Sequence, residues 1–242
     1  MTSSFENSPQ RYLRVCGCFY LAIILLGLFG EAFARGSLVV SGDAAATVDR
    51  IVHAQLLWRA GIVGDLLMHL CDVPVIVILY LLLKPVSKGV ALLATCFHLI
   101  QTAVLAANKL TLLVPLYLLD DTPYLHAFSA AQLQALSQLA IKAHAYGFGV
   151  GLLFFGVACL LRGHLIVGSG YLPKVLGRLL QLAGLSYLTN SFALLLAPAV
   201  AAALFPFVLL PAFVGELSLA VWLIAKGVNE QRWQQHVAPA RA

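Results

Sequence analysis

The sequence predicts an all-α, polytopic integral membrane helix bundle with about six transmembrane helices, and three observations lead there. Hydrophobic residues make up 61% and charged residues only 10% of the 242 positions, against roughly 25% charged in soluble domains. Mean hydropathy is +0.93. Apolar runs of about 20 residues, the length of a bilayer-crossing helix, recur along the chain. Apolar–polar alternation is missing over any strand-sized window, which excludes a membrane barrel.

The spans fall at 13–33, 60–83, 89–113, 141–161, 175–196 and 200–224. The third can continue through Pro115 to Leu119, making it long, tilted or broken. Two shorter helices read as interfacial. Residues 43–57 start at an N-cap signal after Gly42 and carry Arg50 and His53, whereas 129–139 place Gln132, Gln134 and Gln138 on an otherwise apolar helix. Pro198, Pro206 and Pro211 mark a helix end and kinks. Trp58 and Tyr146 suit interface anchors. The expected division is a cytoplasmic N-terminal segment 1–12, a membrane bundle 13–226 and a cytoplasmic tail 227–242, with no internal repeat.

Positive charge predicts orientation. Arg11, Arg14, Lys84, Lys88, Arg162, Lys174, Lys226, Arg232 and Arg241 fall on one side of a six-span chain. Arg35 and Arg50 fall on the other, diluted by Asp43, Asp49, Asp120 and Asp121. Both termini are therefore expected in the cytoplasm, at the bacterial inner (plasma) membrane. The net charge of +5 is thereby accounted for by topology, and no nucleic-acid partner is implied. The first span also imitates a signal peptide ending at Ala32, Phe33 and Ala34, but its length and Glu31 favour retention.

The five cysteines, Cys16, Cys18, Cys71, Cys96 and Cys159, lie in or beside spans without a C-x-x-C pair and read as packing residues. Gly147, Gly149 and Gly151 read as small residues for close helix packing. His53, His126, His164 and His236 are placed in loops or the tail.

The most informative stretch lies between Arg59 and Lys84, where Asp65, His69 and Asp72 interrupt an apolar run. At 100° per residue all three share one helix face. An acid at mid-bilayer costs about 3 kcal/mol on insertion scales, so this face meets protein or water rather than lipid. Other spans supply polar groups that converge largely on the outer half, where an outward-opening polar pocket is expected. Its proposed lining is Asp65, Asp72, Asn108, His144, Tyr187 and Asn190, with His69, His98, Gln101, Tyr146 and Glu216 as accessories. Asp65 and Asp72 would carry protons or bind a cation, with His144 as their partner and the remaining residues as hydrogen-bonding walls. Structural pairing of the acids with Arg59, Lys109 or His144 is the plain alternative.

The segments GDAAATVDRIV, GDLLMHLCDVPVIVILYLLLKPV, AHAYGFGVGLLFFGVACLLRG and SGYLPKVLGRLLQLAGLSYLTNSFA together resemble the bacterial membrane family called domain of unknown function 4386. The resemblance runs from about Arg14 to Pro198. It implies a multispanning membrane protein and carries no activity. Asn190 stands where the resemblance implies Asp, and His69 where it implies an apolar residue.

The leading functional reading is binding, sensing or transport of a small solute, lipid or ion. A second is an intramembrane hydrolase in which Asp65, His69, Asp72 and His144 hold a metal against a lipid. A third is a haem-binding redox protein using His69 or His98 with His144, and a fourth is a structural or partner-binding membrane protein. The lipid bilayer is the partner that the composition implies, with a small molecule or lipid as the ligand of the leading reading.

Overall fold

The computed structural model describes residues 5, 8–120 and 122–237. Asp121 and Arg241, counted above among the orienting charges, lie outside them. Six helices are long and apolar enough to cross a membrane, and the described residues contain no strand.

Helix α1 (Pro9–Leu38) opens on a proline, which loses no hydrogen bond in a first turn. It is α-helical to Leu28, π-helical over Phe29–Arg35, and closes with one α turn over Gly36–Leu38. Helix α2 (Ala44–His53) is capped by Asp43, whose side chain accepts from the Ala46 amide at 2.9 Å. Thr47 fastens it to the chain before it, its hydroxyl accepting from Val40 N–H at 2.9 Å. The expected short helix over 43–57 is thus shorter, because the chain turns at Ala54 and 55–57 already belong to the next span.

Helix α3 (Gln55–Leu83) carries the acidic face and contains Pro74. Helix α4 (Lys88–Tyr117) runs on past 113, and its ladder is interrupted at Lys109 between Lys88–Asn108 and Leu110–Tyr117. Helix α5 (Ala130–Ser169) has 40 residues and starts at a capping box formed by Ser129 and Gln132. The expected interfacial helix over 129–139 is therefore the first turns of this span. Its glutamines misled because a helix of about 60 Å overruns a hydrocarbon core of about 30 Å, so polar residues are tolerated on its protruding turns. For the same reason Arg162 and His164, both expected in a connection, lie inside α5. Helix α6 (Lys174–Leu196) is followed by a short α7 (Pro198–Leu204), and α8 (Leu210–Ala225) completes a span that begins only at Phe207 rather than at 200. Pro198 marks a helix end as expected, since α6 stops at Leu196 and Ala197 leaves the helical conformation just before it, whereas Pro211 sits in the first turn of α8 and kinks nothing. Helix α9 (Glu230–Val237) folds back so that Trp233, 0% exposed, packs on Phe5 and Tyr171.

Successive spans pack on one another and the last returns to the first, giving the ring α1–α3–α4–α5–α6–α8. Where two spans approach closely, both surfaces are small. Gly156 and Gly163 of α5 face Gly184 and Gly177 of α6, so that a methyl on any of the four would lie 2.5–2.9 Å from the opposing carbonyl oxygen. Gly147 and Gly151 meet Asn108 and Leu105 on α4, and Gly149 meets Leu194 on α6. The GFGVG run thus fits α5 against both neighbours.

Apolar packing falls into two clusters. One, toward the termini, gathers Leu13, Tyr20, Leu79, Leu82, Phe155 and Leu219; the other, at the opposite end, gathers Ile51, Trp58, Ile62, Leu112 and Ile141. On α3 the clusters take 58–62 and 75–83, leaving 65–72 between them. The polar residues fill this gap. Trp58 belongs to the second cluster and is 2% exposed, its indole N–H donating to Leu112 O at 2.8 Å. The expected interface anchor is instead a core residue, because α3 begins five residues earlier than the apolar run suggests. Trp58→Phe removes this bond and is expected to cost about 1–2 kcal/mol, measured as a lower melting temperature in detergent.

Candidate functional site

Positions 65, 69 and 72 are one face of α3, and all three side chains turn inward, with 1%, 4% and 4% of their surface exposed. They nevertheless belong to different environments.

Asp65 is held by two cations. Arg35 grips it with Nη1 to Oδ2 at 2.7 Å and Nη2 to Oδ1 at 3.3 Å, while Lys109 Nζ lies 3.0 Å from Oδ2. Arg35 also donates from Nε to Glu31 at 2.8 Å. Two acids therefore meet two bases, and only Glu31 is well exposed, at 59% of its side chain. The backbone prepares each partner. Glu31 and Arg35, four residues apart, both lie in the π-helical turn of α1, Gly30 leaves room for the Asp65 carboxylate, and Lys109 sits at the interruption of α4. Lys109 also stands over the Phe148 ring at 5.7 Å.

Beside this group, Asn108 joins α4 to α5. Its Nδ2 donates to His144 O at 2.9 Å and faces His144 Nδ1 at 3.1 Å. His144 is thus buried against Asn108, and its Nε2 has no hydrogen-bond partner among the described residues.

Among the described residues Asp72 meets no lysine or arginine directly. Its Oδ2 accepts from His69 Nδ1 at 3.2 Å and from the Thr102 hydroxyl at 3.2 Å, and its Oδ1 lies 3.6 Å from His98 Nε2. The other His98 nitrogen, Nδ1, is 2.5 Å from Arg162 Nη1. A guanidinium can only donate, so Nδ1 must accept and the His98 proton sits on Nε2, toward Asp72. Arg162 is 3% exposed and reaches Asp72 through this imidazole. Gln101 is buried next to Thr102.

A fourth group lies apart from these. Glu216 on α8, 7% exposed, accepts a hydrogen bond from the Tyr187 hydroxyl of α6, and Tyr20 of α1 faces it as well. Tyr187, expected as a wall around Asp65 and Asp72, serves Glu216 instead. Asn190 and Tyr146 are half-buried and stand outside the hydrogen-bonded groups just described.

The four residues considered as metal ligands are not gathered at a point: Asp65 is saturated by Arg35 and Lys109, and His144 is turned to Asn108. Among the described residues no group of three or more His, Cys, Asp and Glu side chains is placed to hold a metal. Both nitrogens of His98 are already engaged, which leaves it poorly placed as an axial haem ligand. Two cavities, of about 530 and 360 Å³, lie at the end of the bundle near Pro9 and Val228, away from Asp65 and Asp72.

Arg35 and Arg162 are the members of these groups that the sequence reading left in connections. The spacing Glu31–Arg35 was the available signal for the first, since an acid and a base four residues apart share a helix face. Nothing local marks Arg162 as buried.

A family model described as Domain of unknown function (DUF4386) matches residues 15–227. An uncharacterized protein of Archaeoglobus fulgidus is 31% identical over 166 residues, which cover 69% of this chain and 83% of that protein. No solved structure matches the chain. With the match running from α1 to the end of α8, the chain belongs to the family of domain of unknown function 4386.

Proposed function

We propose that this protein handles a small ion, the proton being the one its geometry favours, at Asp72 in the middle of a multi-pass bundle. Its setting is a bacterial inner membrane with both termini in the cytoplasm, as the distribution of Lys and Arg suggests. The single observation that carries the reading is the contrast between the two acids. Asp65 is paired with two direct cations, whereas Asp72 is surrounded by His69, Thr102 and His98, none of which is a permanent cation. A carboxylate clamped by Arg35 and Lys109 is fixed in place by them, since removing its charge would strand both cations. One stabilised by imidazole and hydroxyl groups can gain a proton with those partners re-orienting, because hydroxyls and imidazoles both donate and accept. Intramembrane acids with such neighbours are typical of proton relays. Asp65 is assigned the structural role and Asp72 the functional one. Asn108 and His144 connect α4 to α5 beside the Asp65 group, and Tyr187 and Glu216 continue the polar series toward α8.

The test is proton entry into proteoliposomes loaded with a pH-sensitive dye, driven by a potassium diffusion potential. Asp72→Asn keeps the shape and removes the ionisable group, so it is expected to lower the rate at least about tenfold while the protein still elutes as a folded species. Parent protein that admits protons no faster than empty vesicles, or a variant as fast as the parent, defeats the reading.

A further inference from the structure

The smaller of the two cavities, between the end of α8, the chain entering α6 and the start of α9, is lined by two cations and no acid. Its volume of about 360 Å³ falls within the range of about 300–1,000 Å³ usual for small-molecule sites, and the cations are Lys226 and Arg232. Glu230, the acid that lies between them in the chain, lines the neighbouring cavity instead, beside Arg11 and Arg14. Among the described residues neither Lys226 nor Arg232 is in an ion pair. Both side chains are exposed.

Hydrogen bonds fix the walls and leave the cations available. Trp222 donates from Nε1 to Gly227 O at 2.9 Å, and the Asn229 amide donates to Tyr171 O at 3.0 Å. Val228 is clamped by Gln10 of α1, whose side chain donates to Val228 O at 2.7 Å and accepts from its N–H at 3.3 Å. Between these bonds the chain turns at Gly227, where φ is +65° and a side chain would run into Gln10. Arg232 commits Nη1 to Gly170 O at 3.0 Å, and with five N–H donors on a guanidinium most of its fork stays open. Depth narrows the ligand. Lys226 directly follows α8, and Trp222 one turn before it is half-buried, positions suited to the headgroup level of a bilayer. The two spans that reach the cavity, α6 and α8, pack together and expose Val175, Leu182, Val214 and Val221, which offer acyl chains an apolar surface.

We infer that this cavity binds the phosphate group of an anionic phospholipid, with Lys226 and Arg232 as its charge partners. Any phosphate shares the anionic chemistry that the two cations recognise; the apolar faces of α6 and α8 favour the lipid as its source. The fork of Arg232 matches two phosphate oxygens, and Lys226 adds a compact point charge. A lipid seated there ties the end of α8 to α9. The site lies apart from Asp72, and neither proposal depends on the other.

Native mass spectrometry of the full-length protein, released from a neutral detergent and titrated with dioleoyl phosphatidylglycerol, counts the lipids bound to each chain. One tightly held copy is expected, with zwitterionic dioleoyl phosphatidylcholine at least about tenfold weaker. Lys226→Gln and Arg232→Gln should each weaken that copy about fivefold and the double variant about thirtyfold, the scale of one juxtamembrane cation apiece. Arg11→Gln with Arg14→Gln removes the same charge at the same end but from the neighbouring cavity, and should change the affinity less than about twofold. If the double variant of Lys226 and Arg232 does not fold, Lys226→Gln decides, since that side chain makes no hydrogen bond among the described residues. Equal losses in the two double variants indicate a diffuse positive rim and overturn the site, as does phosphatidylcholine bound as tightly as phosphatidylglycerol. Inorganic phosphate that displaces the lipid at equal concentration, and is itself lost in the Lys226 and Arg232 variants, overturns the lipid and assigns the cavity to a soluble phosphate.

Discussion

Asp65→Ala is expected to destabilise the protein by about 3–5 kcal/mol, the scale for stripping one partner from a buried ion pair. The substitution leaves Arg35 and Lys109, 8% and 2% exposed, facing an empty site with only Glu31 to offset them. Two cations then share one acid that is largely in solvent. Lys109→Met alone should cost clearly less, because Asp65 keeps its two-pronged contact with Arg35. Combining the two restores the charge balance, Arg35 with Glu31. The double variant should therefore be more stable than the sum of the single losses by at least about 1 kcal/mol. Unfolding midpoints in a denaturing detergent titration provide the comparison, and strict additivity would show that Lys109 and Asp65 do not act as a pair.

The second large effect is expected at the α5–α6 crossing. A side chain at Gly163 would begin 2.5 Å from Gly177 O, and one at Gly177 begins 2.6 Å from Gly163 O. Neither obstacle is a flexible tip; both are helix backbone. Gly163→Val must push the helices apart along the contact that also includes Gly156 and Gly184, losing close backbone contacts as well as packing. About 3 kcal/mol or more is expected from overpacking together with those contacts. Gly168→Ala in the same helix is the control. Its added methyl would meet Val86 at 3.7 Å, an ordinary contact, so the helix-propensity gain of about 1 kcal/mol should leave it neutral or slightly stabilised. A melting temperature unchanged in Gly163→Val would show that the crossing tolerates separation.

Much of the architecture was legible because lipid imposes length and polarity on each span in isolation. All six spans appear, and the helix face bearing Asp65, His69 and Asp72 is buried as the periodicity required. What escaped was the pairing. Arg35 lay two residues past the drawn end of the first span and Arg162 one past the fourth, so both were assigned to connections as orienting charges. Hydropathy cannot distinguish a cation that ends a span from one that lies buried within the bundle, because the distinction depends on which helix packs opposite. The proposed partnership of Lys109 with Asp65 was weighed from sequence and is present, whereas Arg59, the nearest cation along the chain, remains exposed. Tyr187 illustrates the same limit: its depth suggested a place near Asp72, but its direction is set by α8, and it turns to Glu216.

The gap between the two apolar clusters also bears on how the helices find their heights. Leucine and valine gain little by meeting one another rather than lipid tails, so a purely greasy helix can slide along its neighbour at small cost. Hydrogen-bonded charge has no such freedom. Arg35, Asp65 and Lys109 come from α1, α3 and α4, and Asp72, His98 and Arg162 from α3, α4 and α5. A shift of one helical turn, about 5.4 Å, would break every one of these contacts at once. The polar belt thus works as a set of dowels through four adjoining helices, fixing their vertical alignment, while the greasy clusters on either side stay interchangeable with lipid.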